Sequence, residues 1–348
     1  MKKILYFYPI NTSFVKSDLQ LLSKHYTVRT FSFAVKNKIY TPLAFLQQLF
    51  FLIFHLPSAS FVVTQFSGYH SFLPSLLGKI FHRKHFIILH GTECNNFPEY
   101  RYGYKIRPLL FWFSKKSLAL ASRILPVSEA LIEQDYTYKE TTYRKQGLHA
   151  FYPGVKTPME VVYNGVSPDR FTFLRDIVRT KKSFVTVATG LSDPNRRGIK
   201  GLDLVIELAE RIPDSTFTFI GGTIGADQKL PKNINVVPSV PNESLQAIYN
   251  QHQFYIQLSV SEGFGIAVVE AMMCGCVPIV STAGILPKII GAYGYLLEYK
   301  DVDLLHSLVQ QASEVGGSVP LDEMRAYVIN QFSMEKREQS LLNCFEGQ

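Results

Sequence analysis

The stretch SEGFGIAVVEAMMCG, Ser261 to Gly275, decides how this chain is read. It sets two glutamates, Glu262 and Glu270, eight positions apart in a mostly apolar run, with Gly263, Phe264 and Gly265 directly after the first. Before it, QFYIQLSV (Gln253 to Val260) has the aromatic and β-branched density of a buried strand. One helix through the whole stretch would set the two acids about 80° apart and about two turns apart, so they would not address one atom. A loop followed by a helix solves this. Glu262 then lies in the loop at the carboxyl edge of a sheet, with Gly263 and Gly265 allowing tight turns or close approach. The helix starts near Gly265, carries Glu270 and stops at Gly275. Both acids then line one cleft, at different ends of an elongated ligand. Glu270, embedded in AVVEAMM, needs a partner, because an unpaired buried polar group costs on the order of several kcal/mol.

Working outward, the chain alternates strand and helix. KILYFY, TVRTFSF, SFVVTQF and HFIILHG read as strands in the first half, with DLQLLSKHY at helical spacing. SRILPVSEALIEQDY reads as a strand, an N-cap at Ser128 and a helix. MEVVYNGV reads as a strand closed by an Asn-Gly turn. The polar, basic run SPDRFTFLRDIVRTKKS is the inter-domain crossing. The pattern then restarts with SFVTVATG, the amphipathic GLDLVIELAERI, STFTFIGG, INVVPSV and NESLQAIYNQ. At 348 residues the chain exceeds what one hydrophobic core usually serves. The expected fold is α/β, with two doubly wound Rossmann-like domains facing across a cleft, over 1–168 and 169–328, and a terminal segment 329–348. No repeats or low-complexity segments occur.

Charge is uneven: +8 over the chain, +12 over residues 1–170 and −4 over the remainder. Before Glu93 the only acid is Asp18, against ten Lys and Arg. The first half should therefore attract an anionic partner, with nucleic acid and an acidic bilayer surface as candidates. LAFLQQLFFLIFHL, Leu43 to Leu56, is the most apolar run and is too short to span a bilayer; a buried or interfacial helix fits. Cys94, Cys274, Cys276 and Cys344 are too scattered for a disulfide framework or a zinc site, which suits a reducing compartment. The basic start MKKILYFYPINTSF reads as a buried first strand rather than a signal peptide.

A helix N-terminus with free N–H groups favours an anion such as a diphosphate. Amides from Phe264 to Ala267 would hold phosphate, with the carboxylates accepting from hydroxyls on either side. A nucleoside diphosphate sugar has this layout. Here the resemblance enters: Glu262-x7-Glu270 resembles the signature of glycosyltransferase family 4, retaining enzymes of the GT-B fold. VVYNGVSPDRF, IKGLDLVIELAERIPDSTFTFIGG, NVVPSVPNESLQAIYNQ, GCVPIVSTAGILPKII and FSMEKREQSLLNCFE extend the likeness over about residues 160 to 345.

The resemblance implies that Glu262 contacts the donor sugar and that Glu270 binds ribose hydroxyls. Gly263, Phe264, Gly265 and Ile266 would offer backbone contacts, and Lys200 would pair with the diphosphate. His90 would lie near the transferred sugar, and the last helix would cross back to the first domain. Where the family carries an Arg after the glycine of its ATG-type strand end, Leu191 follows Gly190; Arg196 and Arg197 would supply that charge. Glu93 and Asn11 are acceptor-side candidates. The first loop lacks the family's glycine pair, and Ile285 and Lys288 stand where Gly and Glu are common. The implied reaction transfers a sugar from a nucleotide-diphosphate sugar, a co-substrate, to a glycan or lipid-linked acceptor, with retention. No cofactor and no metal are expected. The implied setting is bacterial envelope polysaccharide synthesis, cytoplasmic at the inner membrane face. Three competing readings are a nucleic-acid binder, for which no recognition pattern occurs, a sugar-nucleotide epimerase or hydrolase, and a non-catalytic GT-B subunit.

Overall fold

In the computed structural model, which describes residues 1–35, 37–225, 229–315 and 319–347, the first half builds a parallel sheet from near-continuous apolar strands. In chain order it holds β1 (Lys3–Tyr8), α1 (Ser13–Ser23), β2 (Thr27–Ser32), α2 (Thr41–His55), β3 (Phe61–Gln65), α3 (Tyr69–Ile80), β4 (Lys84–Leu89), α4 (Pro108–Leu120) and β5 (Arg123–Pro126). The strand order is β2-β1-β3-β4-β5. A short hairpin, β6 (Gln134–Asp135) and β7 (Lys145–Gln146), and α5 (Leu148–Phe151) follow.

The second half restarts with β8 (Thr180–Val187), α6 (Pro194–Ile199), α7 (Leu202–Arg211), β9 (Thr216–Ile220), β10 (Ile234–Val237), α8 (Leu245–Gln251), β11 (His252–Gln257), α9 (Ile266–Met273), β12 (Val277–Ser281), α10 (Leu286–Ile290), β13 (Tyr295–Leu297) and α11 (Val302–Val315). Its parallel order is β10-β9-β8-β11-β12-β13. The helices α12 (Leu321–Phe332) and α13 (Met334–Glu346) close the chain.

These orders fix where a ligand can sit. In open α/β sheets the crevice lies beyond the carboxyl ends of strands where the order reverses. In the second sheet that point is between β8 and β11, so the loop after β8 and the loop carrying Glu262 share it. In the first sheet it is between β1 and β3, beside the end of β4 and His90.

The chain passes between the sheets twice, and the two passes are zipped together. Val166 N–H donates to the Phe332 carbonyl at 2.9 Å, and Met334 N–H donates to the Val166 carbonyl at 3.0 Å. Arg325 on α12 donates to the carbonyls of Pro168, Phe171 and Met273, tying the crossing to the end of α9. The helix α13 returns to the first sheet, where Phe345 meets Phe61 and Phe86 with ring centroids 4.9 and 4.8 Å away.

Two readings of elements are corrected. SEALIEQ is not a helix: only a 3-10 turn, Glu129–Leu131, follows β5, and Ser128 makes no cap bond. MEVVYNGV joins no named strand. It runs extended along β5, with Glu160 and Val162 N–H donating to the carbonyls of Ile124 and Pro126 at 3.0 Å. The four cysteines are free and buried.

Candidate active site

The loop between β11 and α9 is built as its sequence demands. Gly265 has φ +89°, and a Cβ there would stand 2.8 Å from Leu286 Cδ2. Gly263 is constrained by the other domain. A Cβ on it would stand 1.8 Å from the carbonyl oxygen of His90. Ser128 Oγ donates to the Gly263 carbonyl at 2.7 Å, and Asn95 Nδ2 donates to Ser261 Oγ at 3.0 Å. The glycine therefore first serves closure of the two domains, and Ser128 bridges them instead of capping a helix.

Glu262 sits at this seam. Its Oε2 accepts from Lys200 Nζ at 3.0 Å, Gln257 Nε2 at 2.7 Å and Ser259 Oγ at 3.2 Å, while Oε1 takes none of the three. Lys200 terminates α6 and is brought there by Gly201, whose φ of +70° sets the turn and whose Cβ would stand 1.9 Å from the Leu258 carbonyl oxygen. Burial alone would lower the Lys200 pKa; the Glu262 carboxylate and its hydrogen bond outweigh that and raise it, so the ammonium is charged. Arg196 is exposed on α6 with its stem over Gly190. Arg197 instead donates to the Leu191 carbonyl at 2.6 Å, inside its own loop. Arg196 is the more exposed of the two arginines. Leu191 is buried in the core, which is why no charge stands there.

Glu270 projects from the middle of α9 and is buried. Its partner is Tyr249, whose hydroxyl donates to Oε2 at 3.2 Å. Burial pushes the carboxyl up to about 7, against lowering by the Tyr249 bond and by Arg170. It lines a cavity of about 50 Å³ shared with Ser13, Ser17, Arg170, Asn242 and Ile266. Arg170 Nε has no hydrogen-bond partner there. The helix α9 begins at Ile266, so the N–H groups of Ile266 and Ala267 have no intrahelical acceptor. Phe264 is in the core against Phe332 and offers backbone only.

From the first domain, His90 follows β4, stacks on Phe14 and packs against the tilted ring of Phe66, ring centroids 4.3 and 4.7 Å away. Its tautomer follows from a buried relay. Arg337 on α13 pairs with Asp18 through Nε and Nη2 at 2.6 and 2.7 Å. Gln65 Nε2 donates to Asp18 Oδ2 at 2.6 Å, which turns Gln65 Oε1 toward His90 Nε2. An amide oxygen only accepts, so His90 carries its proton on Nε2 and presents the Nδ1 lone pair. Burial, with Arg337, holds its pKa well below the ordinary value, so the ring is neutral near pH 7.

The two acceptor-side candidates sit differently. Glu93 lies beneath the loop, fully buried: Oε1 accepts from His90 N–H at 3.1 Å and Oε2 has no partner, so it organises the loop and does not face the cleft. Burial pushes its carboxyl up to about 7. Asn11 is exposed in the loop after β1. Lys288 bonds Glu129 Oε1 across the domains at 2.8 Å. Among the described residues no three His, Cys, Asp or Glu side chains converge. The Asp-x-Asp triplet Asp301-Val302-Asp303 caps α11, with Asp301 Oδ1 accepting from the N–H groups of Asp303 and Leu304.

Sequence reasoning missed Asp18, Gln65, Arg337, Tyr249, Arg170 and Phe14. Asp18 carried a signal: one acid among ten cations in the first 92 residues invites the question of what it pairs with.

Residues 194–331 match the model of the glycosyl transferases group 1. The O-antigen chain mannosyltransferase B of Escherichia coli is 28% identical over 108 residues, 31% of this chain and 28% of its own. The GDP-mannose:cellobiosyl-diphosphopolyprenol alpha-mannosyltransferase of Xanthomonas oryzae pv. oryzae (strain PXO99A) is 45% identical over 56 residues, 16% of this chain and 15% of its own. The matched stretches thus span under a third of either relative. The structure of sucrose-phosphate synthase from Thermosynechococcus elongatus superposes over all of this chain and 99% of its own, with TM-score 0.74 and 14% identity. The chain has the GT-B fold, and over residues 194–331 it is similar to the glycosyl transferases group 1.

Proposed function

We propose that this protein is a retaining glycosyltransferase of family 4. It moves a sugar from a nucleotide-diphosphate sugar to a glycan or lipid-linked acceptor in bacterial envelope polysaccharide synthesis, working in the cytoplasm at the inner face of the membrane. The observation that carries the reading is the Glu262–Lys200 pair of the second domain at one seam with the first, where the neighbouring Gly263 packs against the His90 backbone. The names of the two bacterial relatives, an O-antigen chain mannosyltransferase and a cellobiosyl-diphosphopolyprenol mannosyltransferase, support the acceptor class.

Each residue then has a task. The diphosphate meets Lys200, Arg196 and the free amides of Ile266 and Ala267, which neutralise charge as the nucleotide departs. Lys200 must exchange Glu262 for phosphate, which frees Glu262 Oε2 for a sugar hydroxyl. Neutral His90 accepts a second sugar hydroxyl at Nδ1. Glu270 takes the ribose. The bond from the anomeric carbon to the diphosphate breaks, the acceptor oxygen bonds to that carbon on the same face, and its proton leaves with the nucleoside diphosphate. These positive groups serve the leaving diphosphate without a metal, so chelator should leave the rate unchanged.

The test is release of nucleoside diphosphate from UDP-, GDP- and ADP-sugars in the presence of lipid-linked or oligosaccharide acceptors, with the anomeric configuration of the product read by NMR. Wild type should turn over one donor class with retention. Glu262→Gln and Lys200→Ala should each lower kcat by about a hundredfold or more. An inverted product, or full activity in both variants, sinks the assignment.

A further inference from the structure

The outer helices of the first domain form a layer unlike a solvated surface. α2, α3 and α4 lie side by side on the sheet, joined by Phe113 of α4, whose ring lies 5.6 Å from Phe45 of α2 and 5.2 Å from Phe72 of α3. None of the three contains an Asp or Glu. The apolar run read as a buried or interfacial helix turns out to have two apolar faces. Its inner side puts Leu52 into a core with Phe7 and Val62. Its outer side exposes Leu43, Leu46, Phe50 and Phe54 at helical spacing, Phe50 by 52% and Phe54 by 73%. On α4 the exposed Trp112 ring adjoins Phe72 at 5.9 Å and sits under Lys116 Nζ at 5.8 Å. Lys79, Lys115 and Lys116 are exposed on the same layer.

We infer that this layer is a docking surface for an anionic lipid bilayer. Apolar patches of this continuity mark interaction sites, and a helix with outward Leu and Phe beside lysines and an amphipathic Trp lies in the bilayer interface. The run read from the sequence as too short to span a bilayer is extended here: α2 with the 3-10 turn after it, Thr41–Ser58, is long and apolar enough to cross a membrane. Its inner face is nevertheless part of the sheet's core, so it lies along the surface rather than spanning it. Charge excludes a second copy as occupant. A two-fold interface sets the same patch against itself, and here that would oppose lysines with no carboxylate on any of the three helices. Acidic headgroups supply the missing partner, about 1 kcal/mol per lysine near the surface. The inference deepens the proposed work on a membrane acceptor and rests on that reading for its biological use, but its test needs no turnover.

The full-length protein, without nucleotide, is sedimented with vesicles of phosphatidylcholine alone and of equal parts phosphatidylcholine and phosphatidylglycerol. Wild type should pellet with the mixed vesicles, remain largely soluble with the neutral ones, and be released by salt. Phe50→Glu with Phe54→Glu, at exposed positions, should weaken binding by about a hundredfold. Lys115→Glu with Lys116→Glu should weaken it about tenfold or more. Both should keep the wild-type melting temperature and any melting shift given by a nucleotide. Wild type left in the supernatant with anionic vesicles overturns the inference. So does a wild-type dimer in sedimentation velocity that Phe50→Glu with Phe54→Glu dissolves, which would make a second copy the occupant.

Discussion

At the scale of single residues, the site depends on groups that never touch a ligand. His90 shows its lone pair to the cleft because Gln65 is oriented by Asp18, and Asp18 is held by Arg337 from the far end of the chain. Removing one partner of a buried ion pair strands the other charge. Asp18→Asn should therefore cost about 3–5 kcal/mol in urea unfolding, while Lys115→Glu on the surface should cost little. A near-neutral Asp18→Asn would show that the relay is not held by charge. Glu270 gives a second residue-scale expectation. Its carboxyl is raised to about 7, and ribose hydroxyls need the carboxylate. Nucleotide affinity should thus improve as pH rises toward 7 and level off above it, by roughly tenfold per unit below 7. Glu270→Gln should flatten the profile in calorimetric titrations; a wild-type affinity independent of pH between 5 and 8 would contradict the assignment.

At the scale of elements, the loop after β11 was legible because its glycines, acid and apolar helix each force a local conformation. What stayed hidden was the reason for Gly263, which lies in the opposite domain: the His90 carbonyl leaves no room for a Cβ. Gly263→Ala should hold the domains apart. The radius of gyration in small-angle scattering should rise, and transfer should fall about a hundredfold, as for misplacement by about 1 Å; unchanged scattering with full activity would refute the closure role. Ser128 misled in the same way. A serine after a strand reads as a cap, but its acceptor is the Gly263 carbonyl across the seam. The helix α2 shows a further limit of periodicity: apolar residues on two opposite faces leave no amphipathic pattern, so its exposed stripe could not be read from hydropathy.

For the whole molecule, two parallel sheets and the crossing between them followed from alternating strand and helix patterns, since such strands leave near-continuous apolar runs. The contacts between the domains did not, because they join residues more than a hundred positions apart. The buried titratable groups give the protein a definite acid response. Burial lowers His70 to about 4 and His85 to about 3, and lowers His90 and His252 as well. Each contributes stability present above the unfolded-state value and lost as pH falls through 6.5 toward the folded value. Burial raises Glu93 and Glu270 to about 7, so each opposes this loss by taking a proton in the folded state between 7 and 4.5. Four histidines outweigh two acids. Melting temperature should fall between pH 7 and pH 5, at about 1.4 kcal/mol per unit for each net proton. Glu93→Gln removes one opposing group and should steepen the fall; a melting temperature that rises on acidification would reverse the sign.

The measurement nearest the central claim is a thermal-shift panel of UDP, GDP, ADP and their sugar conjugates on wild type and Glu270→Ala. A ligand that binds only the folded state raises the melting temperature by mass action. One nucleotide should shift wild type, and the shift should collapse in Glu270→Ala. No shift from any nucleotide at millimolar concentration would contradict the donor cleft and, with it, the proposed transfer.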